Sequence, residues 1–284
     1  MWSTTPSGYK AISTANLPDP TIKDPSAYFQ PTIYTGDGAS SLAVVQAGNS
    51  QFEPNLVWIK NRDADSDRQL LTDSVRGVEK SLYSSSTSAE VSYPDGLESF
   101  TSTGFTVGSD VEFNTNTEKY VAWQWLESAT PGFDIVSYDG TGVNRTVSHN
   151  LGVKPDMMVF KRLDGIQNWP VYHSFVTATG RLILDLNHAE YDDNSFWNDT
   201  EPTSSVFTLG DDGAANGDGQ TQIGYLWAGV DGFSKFGSFT GNGDADGPFV
   251  WCGFRPAYIL IKSAIGATEN WVTHDNQRGP YNVI

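Results

Sequence analysis

Apolar positions in this chain fall in short runs rather than along a helical stripe. Residues 56–60 (LVWIK), 157–161 (MMVFK) and 258–262 (YILIK) are apolar for four positions, and each begins two residues after a proline. A continuous apolar run of that length, bounded by a turn residue, is the pattern of a strand buried on both faces. The aromatic segments 120–125 (YVAWQW) and 225–228 (YLWA) predict further strands, as do 104–108 (GFTVG) and 206–210 (VFTLG). Turn residues interrupt the chain roughly every 8–12 residues, and no 3.6-residue apolar period with caps is sustained. The expected class is all-β, in tandem β-sandwich or jelly-roll-like modules.

The runs recur. Pro54, Pro155 and Pro256 stand 101 residues apart, and Lys60, Lys161 and Lys262 keep the same spacing. Upstream of each lies an aromatic-x-Gly-x-Gly signature, at Tyr34 to Gly38, Tyr138 to Gly142 and Phe239 to Gly243. Downstream, NWPVYH from Asn168 matches NWVTHD from Asn270. The spacing predicts one module over 31–131, a second over 132–231 and a partial third over 232–284, each complete unit having the size of a small β domain. The second half of the third unit has no counterpart. Two readings follow: a fragment or trimmed half-module, or a module completed by strands of a neighbouring chain. Residues 1–30, with Pro6, Pro18, Pro20 and Pro25, read as an extended linker or docking arm.

Charge narrows the partners. The 284 residues carry 34 acidic against 17 basic side chains, a net charge of −17. Phosphate binding needs a basic face, so nucleic acid is not an expected partner, and an anionic membrane surface is disfavoured on the same ground. No apolar run approaches the ~18 residues of a membrane span, and the N-terminus lacks the pattern of a signal peptide. Cys252 is the one cysteine, so no internal disulfide framework forms.

Candidate chemistry is sparse. Asp73-Ser74-Val75-Arg76-Gly77 recurs as Asp275-Asn276-Gln277-Arg278-Gly279, whereas His173 and Val176 hold those places in the second unit. An Asp and Arg three apart form a charge-assisted pair, and their repetition points to structural ion pairs rather than catalysis. The loop 211–219 offers Asp211, Asp212, Asn216 and Asp218 as hard oxygen ligands for calcium, although the spacing departs from an EF-hand and the loop aligns with a hairpin turn at 110–116. No other cofactor is indicated. Neither a Gly-x-Ser-x-Gly elbow nor a zinc-ligand pair is found, and no carboxylate pair stands apart from the repeated scaffold, so no catalytic residue is expected. Aromatic faces stack on sugars and anchor interfaces. Repeated aromatics suit cores; the unrepeated Trp197, Tyr191, Tyr83 and Tyr93 are the expected surface binding residues.

FEPNLVWIKNRD, LTDSVRG, YVAWQW, SHNLGVKPDMMVFKR and FTGNGDADGPFVWCGFRPAYILIK together resemble an uncharacterised domain family of tailed bacteriophages, frequent in marine phages. The segment from Gly8 to Pro18 resembles the joint that follows a SPRY-type β-sandwich in such proteins. The resemblance implies a non-enzymatic virion protein in contact with other virion proteins: a homotrimeric tail fibre or other external appendage adsorbing to host-surface glycan, or a purely structural capsid decoration or capsid fibre. A polysaccharide depolymerase is the remaining alternative.

Overall fold

The first two apolar runs lie in the middle of large sheets in the computed structural model, which describes residues 20–266 and 268–279. The first sandwich contains β1 (Phe29–Thr35), β2 (Leu42–Val45), β3 (Leu56–Asn61), β4 (Gln69–Asp73), β5 (Lys80–Tyr83), β6 (Val91–Ser92), β7 (Leu97–Thr101), β8 (Gly104–Val107), the one-turn helix α1 (Val111–Asn114) and β9 (Lys119–Trp125). One layer is a six-stranded sheet in the order β1-β9-β3-β4-β5-β6, and the other is β2-β8-β7. Side chains alternate between faces. Val57, Ile59 and Ala122 pack with Phe105 and Val107 of the smaller layer and with Phe113 of α1, while Leu56, Trp58 and Trp123 face the opposite way.

The second sandwich contains β10 (Phe133–Asp139), β11 (Arg145–Ser148), β12 (Met157–Arg162), β13 (Pro170–His173), β14 (Gly180–Ile183), β15 (Tyr191–Asp192), the one-turn helix α2 (Asn194–Trp197), β16 (Val206–Leu209), the one-turn helix α3 (Gly213–Asn216) and β17 (Thr221–Trp227). Its large sheet has the order β10-β17-β12-β13-β14-β15, and β11 and β16 form the smaller layer. Met158, Phe160 and Leu226 pack there with Phe207 and Leu209. The third apolar run forms only a hairpin, β18 (Tyr258–Ile261) with β19 (Val272–Asp275).

The outward faces of the two large sheets meet in a shared core. Leu56, Trp58 and Trp123 of the first pack with Ile135, Val159 and Tyr225 of the second, and Tyr258, Leu260 and Trp271 of the hairpin pack against the same cluster. The sandwiches are therefore joined through their apolar faces.

Two local expectations change. The loops at 110–116 and 211–219 contain helical turns, because Asp110 and Asp212 accept the free amides of Glu112 and Ala214 at 2.9 and 2.7 Å. Residues 1–19 of the expected arm lie outside the described residues. Beyond them, Ile22 is buried and Phe29 and Gln30 already belong to β1, so the first sandwich starts before residue 31. The repeated Gly-x-Gly turns follow β1 and β10. A Cβ at Gly36 would stand 2.2 Å from the Thr115 carbonyl oxygen, and one at Gly140 would stand 2.2 Å from that of Gly217. Only glycine permits that approach.

Candidate functional site

The repeated Asp-x-x-Arg element closes into a clamp at the end of a strand. At the end of β4, Asp73 Oδ1 accepts the amides of Val75 and Arg76 at 3.1 and 2.9 Å, and Oδ2 accepts Arg76 Nε at 2.6 Å. Both side chains are buried, so each charge depends on the other and on further partners. Arg76 Nη2 donates to the Leu71 carbonyl at 2.9 Å, and Nη1 donates to Glu90 Oε2 at 3.2 Å. The remaining ligand of the carboxylate comes from the other sandwich: the Tyr225 hydroxyl donates to Asp73 Oδ2 at 2.7 Å. Burial pulls the Arg76 pKa down, but Tyr225, Asp73 and Glu90 outweigh it and leave the guanidinium more firmly protonated than usual. Burial also pushes the Tyr225 phenol far above its ordinary range, so it remains a neutral donor.

The hairpin repeats the arrangement. Asp275 Oδ1 accepts the amides of Gln277 and Arg278 at 2.9 and 3.0 Å, and Oδ2 accepts Arg278 Nε at 2.6 Å. Here the donor from another sheet is Trp123 Nε1, at 3.1 Å, with the Arg278 guanidinium 5.0 Å from the indole centroid. Trp123 and Tyr225 hold the same place in their sheets, opposite Trp58 and Val159 respectively. The first sandwich thus grips the second, and the hairpin grips the first.

Tryptophans make a second set of joints. Trp169 Nε1 donates to the carbonyls of Tyr83 and Ser86, both at 3.0 Å, and Trp271 Nε1 donates to the Ile183 carbonyl at 2.8 Å. Lysines follow the same rule. Lys161 Nζ donates to the Arg162 and Thr87 carbonyls at 2.8 and 3.3 Å, and Lys262 Nζ reaches the Asn187 carbonyl at 3.1 Å. Burial lowers the Lys161 pKa to about 8. At the boundary between the sandwiches, burial and the neighbouring Asp134 raise Glu127 to about 7. Its Oε1 accepts the Ile135 amide at 3.3 Å, while Asp134 Oδ2 accepts that of Asn150 at 2.6 Å.

The chain belongs to the DUF7483 family. The match, to a domain of unknown function, covers residues 24–284. No curated protein and no solved structure matches the chain.

In this DUF7483 chain the expected binding aromatics do not converge. Trp197 is fully buried, a correction to its expected surface place: it packs among Phe160, Tyr172 and Phe196 and donates Nε1 to the Gly180 carbonyl at 3.1 Å. Tyr83 is also buried, its hydroxyl bonded to that of Tyr93 and its ring under the Arg68 guanidinium at 4.6 Å. Both are drawn inward because each offers a large apolar ring and a polar atom that finds a partner. Tyr191 is 63% exposed and stands alone, with Arg181 5.5 Å from its ring centroid.

The calcium candidates have other work. Asp212 caps α3, while Asp211 and Asp218 point to solvent. Asn216 accepts the Thr141 amide at 2.9 Å and donates to the Val143 and Gly210 carbonyls at 2.8 and 2.6 Å. Asn114 makes the matching staple in the first sandwich. Among the described residues no three His, Cys, Asp or Glu side chains gather as a metal site.

Sequence reasoning reached both aspartates and both arginines but missed Tyr225 and Trp123 as their partners. Their shared position in the two aromatic strands was the available signal.

Proposed function

We propose that the chain is a non-enzymatic structural component of a tailed-phage particle, part of a tail fibre or other external appendage that adsorbs to host-surface glycan. The observation that carries this reading is where the charged groups go. The Asp73–Arg76 and Asp275–Arg278 pairs join one sheet to another instead of lining a cleft. Groups held this way fix the placement of sheets, which a building block requires. The sequence resemblance supplies the particle. The exposed Tyr191 ring offers a sugar-stacking face, and symmetric attachment as a trimer multiplies weak contacts. Gold labelling of the chain in intact particles, light scattering for its mass and a glycan array test the reading together. Label on an external appendage, a trimeric mass and glycan signal lost in Tyr191→Ala are expected. Label in the capsid shell with a blank array overturns it.

A further inference from the structure

A polar hook fixes the same loop in each repeat. Four residues ahead of the repeated aromatics Tyr34, Tyr138 and Phe239 stand Gln30, Asp134 and Lys235. Gln30 Oε1 accepts the Gly48 amide at 2.8 Å, and Asp134 Oδ2 accepts the Asn150 amide at 2.6 Å. In the third repeat the polarity reverses, and Lys235 Nζ donates to the Trp251 carbonyl at 2.8 Å. The hooked residue faces solvent in all three repeats, so exposure belongs to this place in the module. Only its chemistry differs. Glycine and asparagine leave little apolar surface bare there, whereas Trp251 sets out a large ring that is 70% exposed. Phe249, 87% exposed, lies 6.5 Å away between ring centroids.

Beside this ring is a cavity of about 270 Å³, with Asp156, Asp231, Ser234, Lys235, Phe236 and Trp251 among its walls. Asp156 Oδ2 accepts the Gly229 amide at 2.8 Å, which anchors one wall between the start of β12 and the end of β17. A pocket of this size takes one small ring rather than a helix or a strand. Its aromatic side offers an apolar face, and its two carboxylates accept hydrogen bonds. The fitting occupant therefore has a C–H face to stack and hydroxyl donors around its rim. A pyranose has both. Two carboxylates beside one ammonium that is already bonded to a carbonyl repel a uronate or a phosphorylated sugar.

We propose that this cavity is a subsite for one neutral or amino pyranose, stacked on Trp251 and hydrogen-bonded by Asp156 and Asp231. The site rests on the glycan-adsorbing reading above and adds to it a place and a class of sugar. It is separate from Tyr191, which stands on β15 with Arg181 as its neighbour. The hook supplies rigidity: Lys235 holds the Trp251 backbone, so the ring is presented without ordering a free loop.

The test uses the full chain labelled with fluorotryptophan, in which the Trp251 resonance is identified by its loss in Trp251→Phe. Methyl glycosides of glucose, galactose, mannose and glucosamine serve as probes, with the methyl uronides of glucose and galactose as anionic counterparts. At least one neutral or amino probe is expected to shift the Trp251 resonance saturably, and both uronides are expected to bind more weakly than it by at least a factor of about ten. Asp231→Asn, at an exposed position, is expected to weaken binding roughly tenfold, a charge-assisted hydrogen bond's worth. Saturation-transfer signals from the probe are expected to fall roughly fivefold in Trp251→Ala, with circular dichroism unchanged. Tyr191→Ala is expected to leave the titration as it is. No shift at Trp251 with any probe, equal binding of the uronides, or unchanged binding in Asp231→Asn would each overturn the site. A blank glycan array with label in the capsid shell removes the underlying reading, whereas array signal without a shift at Trp251 removes this site alone.

Discussion

Asp73 keeps no contact with solvent, and four hydrogen bonds stand in for the water it gives up. Asp73→Asn leaves Arg76 charged and buried beside a neutral amide, so a loss of about 3–5 kcal/mol is expected in urea unfolding followed by tryptophan fluorescence. Tyr225→Phe removes only the hydroxyl, with an expected loss of about 1–2 kcal/mol. Equal losses for the two would mean that the ion pair contributes nothing beyond the phenol contact. Glu127 gives a pH dependence. The folded chain holds its proton up to about pH 7, whereas the ordinary carboxyl releases it near 4.5. The folded state binds more protons across that window, so this group's contribution to stability is full below pH 4.5 and lost as pH rises through 7. Glu127→Gln mimics the protonated acid. Its melting temperature is expected to exceed that of the native chain at pH 8 and to match it near pH 4.5; a constant difference at all pH values would remove Glu127 as the cause. The sequence marked Asp73 by its repetition, but nothing in it marked Glu127, whose proton affinity comes from burial beside Asp134.

At the scale of elements, the apolar runs were legible as strands because four consecutive apolar residues suit a strand covered on both faces. LVWIK and MMVFK are central strands for that reason. The one-turn helices α1 and α3 were not legible, since four residues carry too little periodicity; only the Asp caps could have signalled them. These turns depend on Asn114 and Asn216. Asn216→Ala leaves the Thr141 amide and two carbonyls short of a partner, with an expected loss of about 1–3 kcal/mol. The same measurement on Asp218→Ala, an exposed residue of the same loop, is expected to show no more than about 0.5 kcal/mol. A larger loss for Asp218 at millimolar calcium, absent in chelator, would restore the calcium reading.

For the whole molecule, the shared core predicts joint unfolding of the two sandwiches. Their large sheets bury one another's apolar faces, so neither can leave without exposing Trp58, Trp123 and Val159. A single calorimetric transition with equal van't Hoff and calorimetric enthalpies is expected, and two separated peaks would show independent domains. Among the described residues each strand of the hairpin pairs only with the other, and Ile259 is exposed, so the amides at 258–262 are expected to exchange ahead of those of β3 and β12. By itself the sequence determined the all-β class, the central strands and the turns that need glycine, because each follows from the local order of apolar, polar and conformationally special residues. The tertiary structure alone decided which faces share a core, that Trp197 is internal, and which phenol or indole each clamp receives. Those pairings join residues 152 positions apart, Asp73 with Tyr225 and Trp123 with Asp275. No local pattern encodes such a distance; sheet packing sets it.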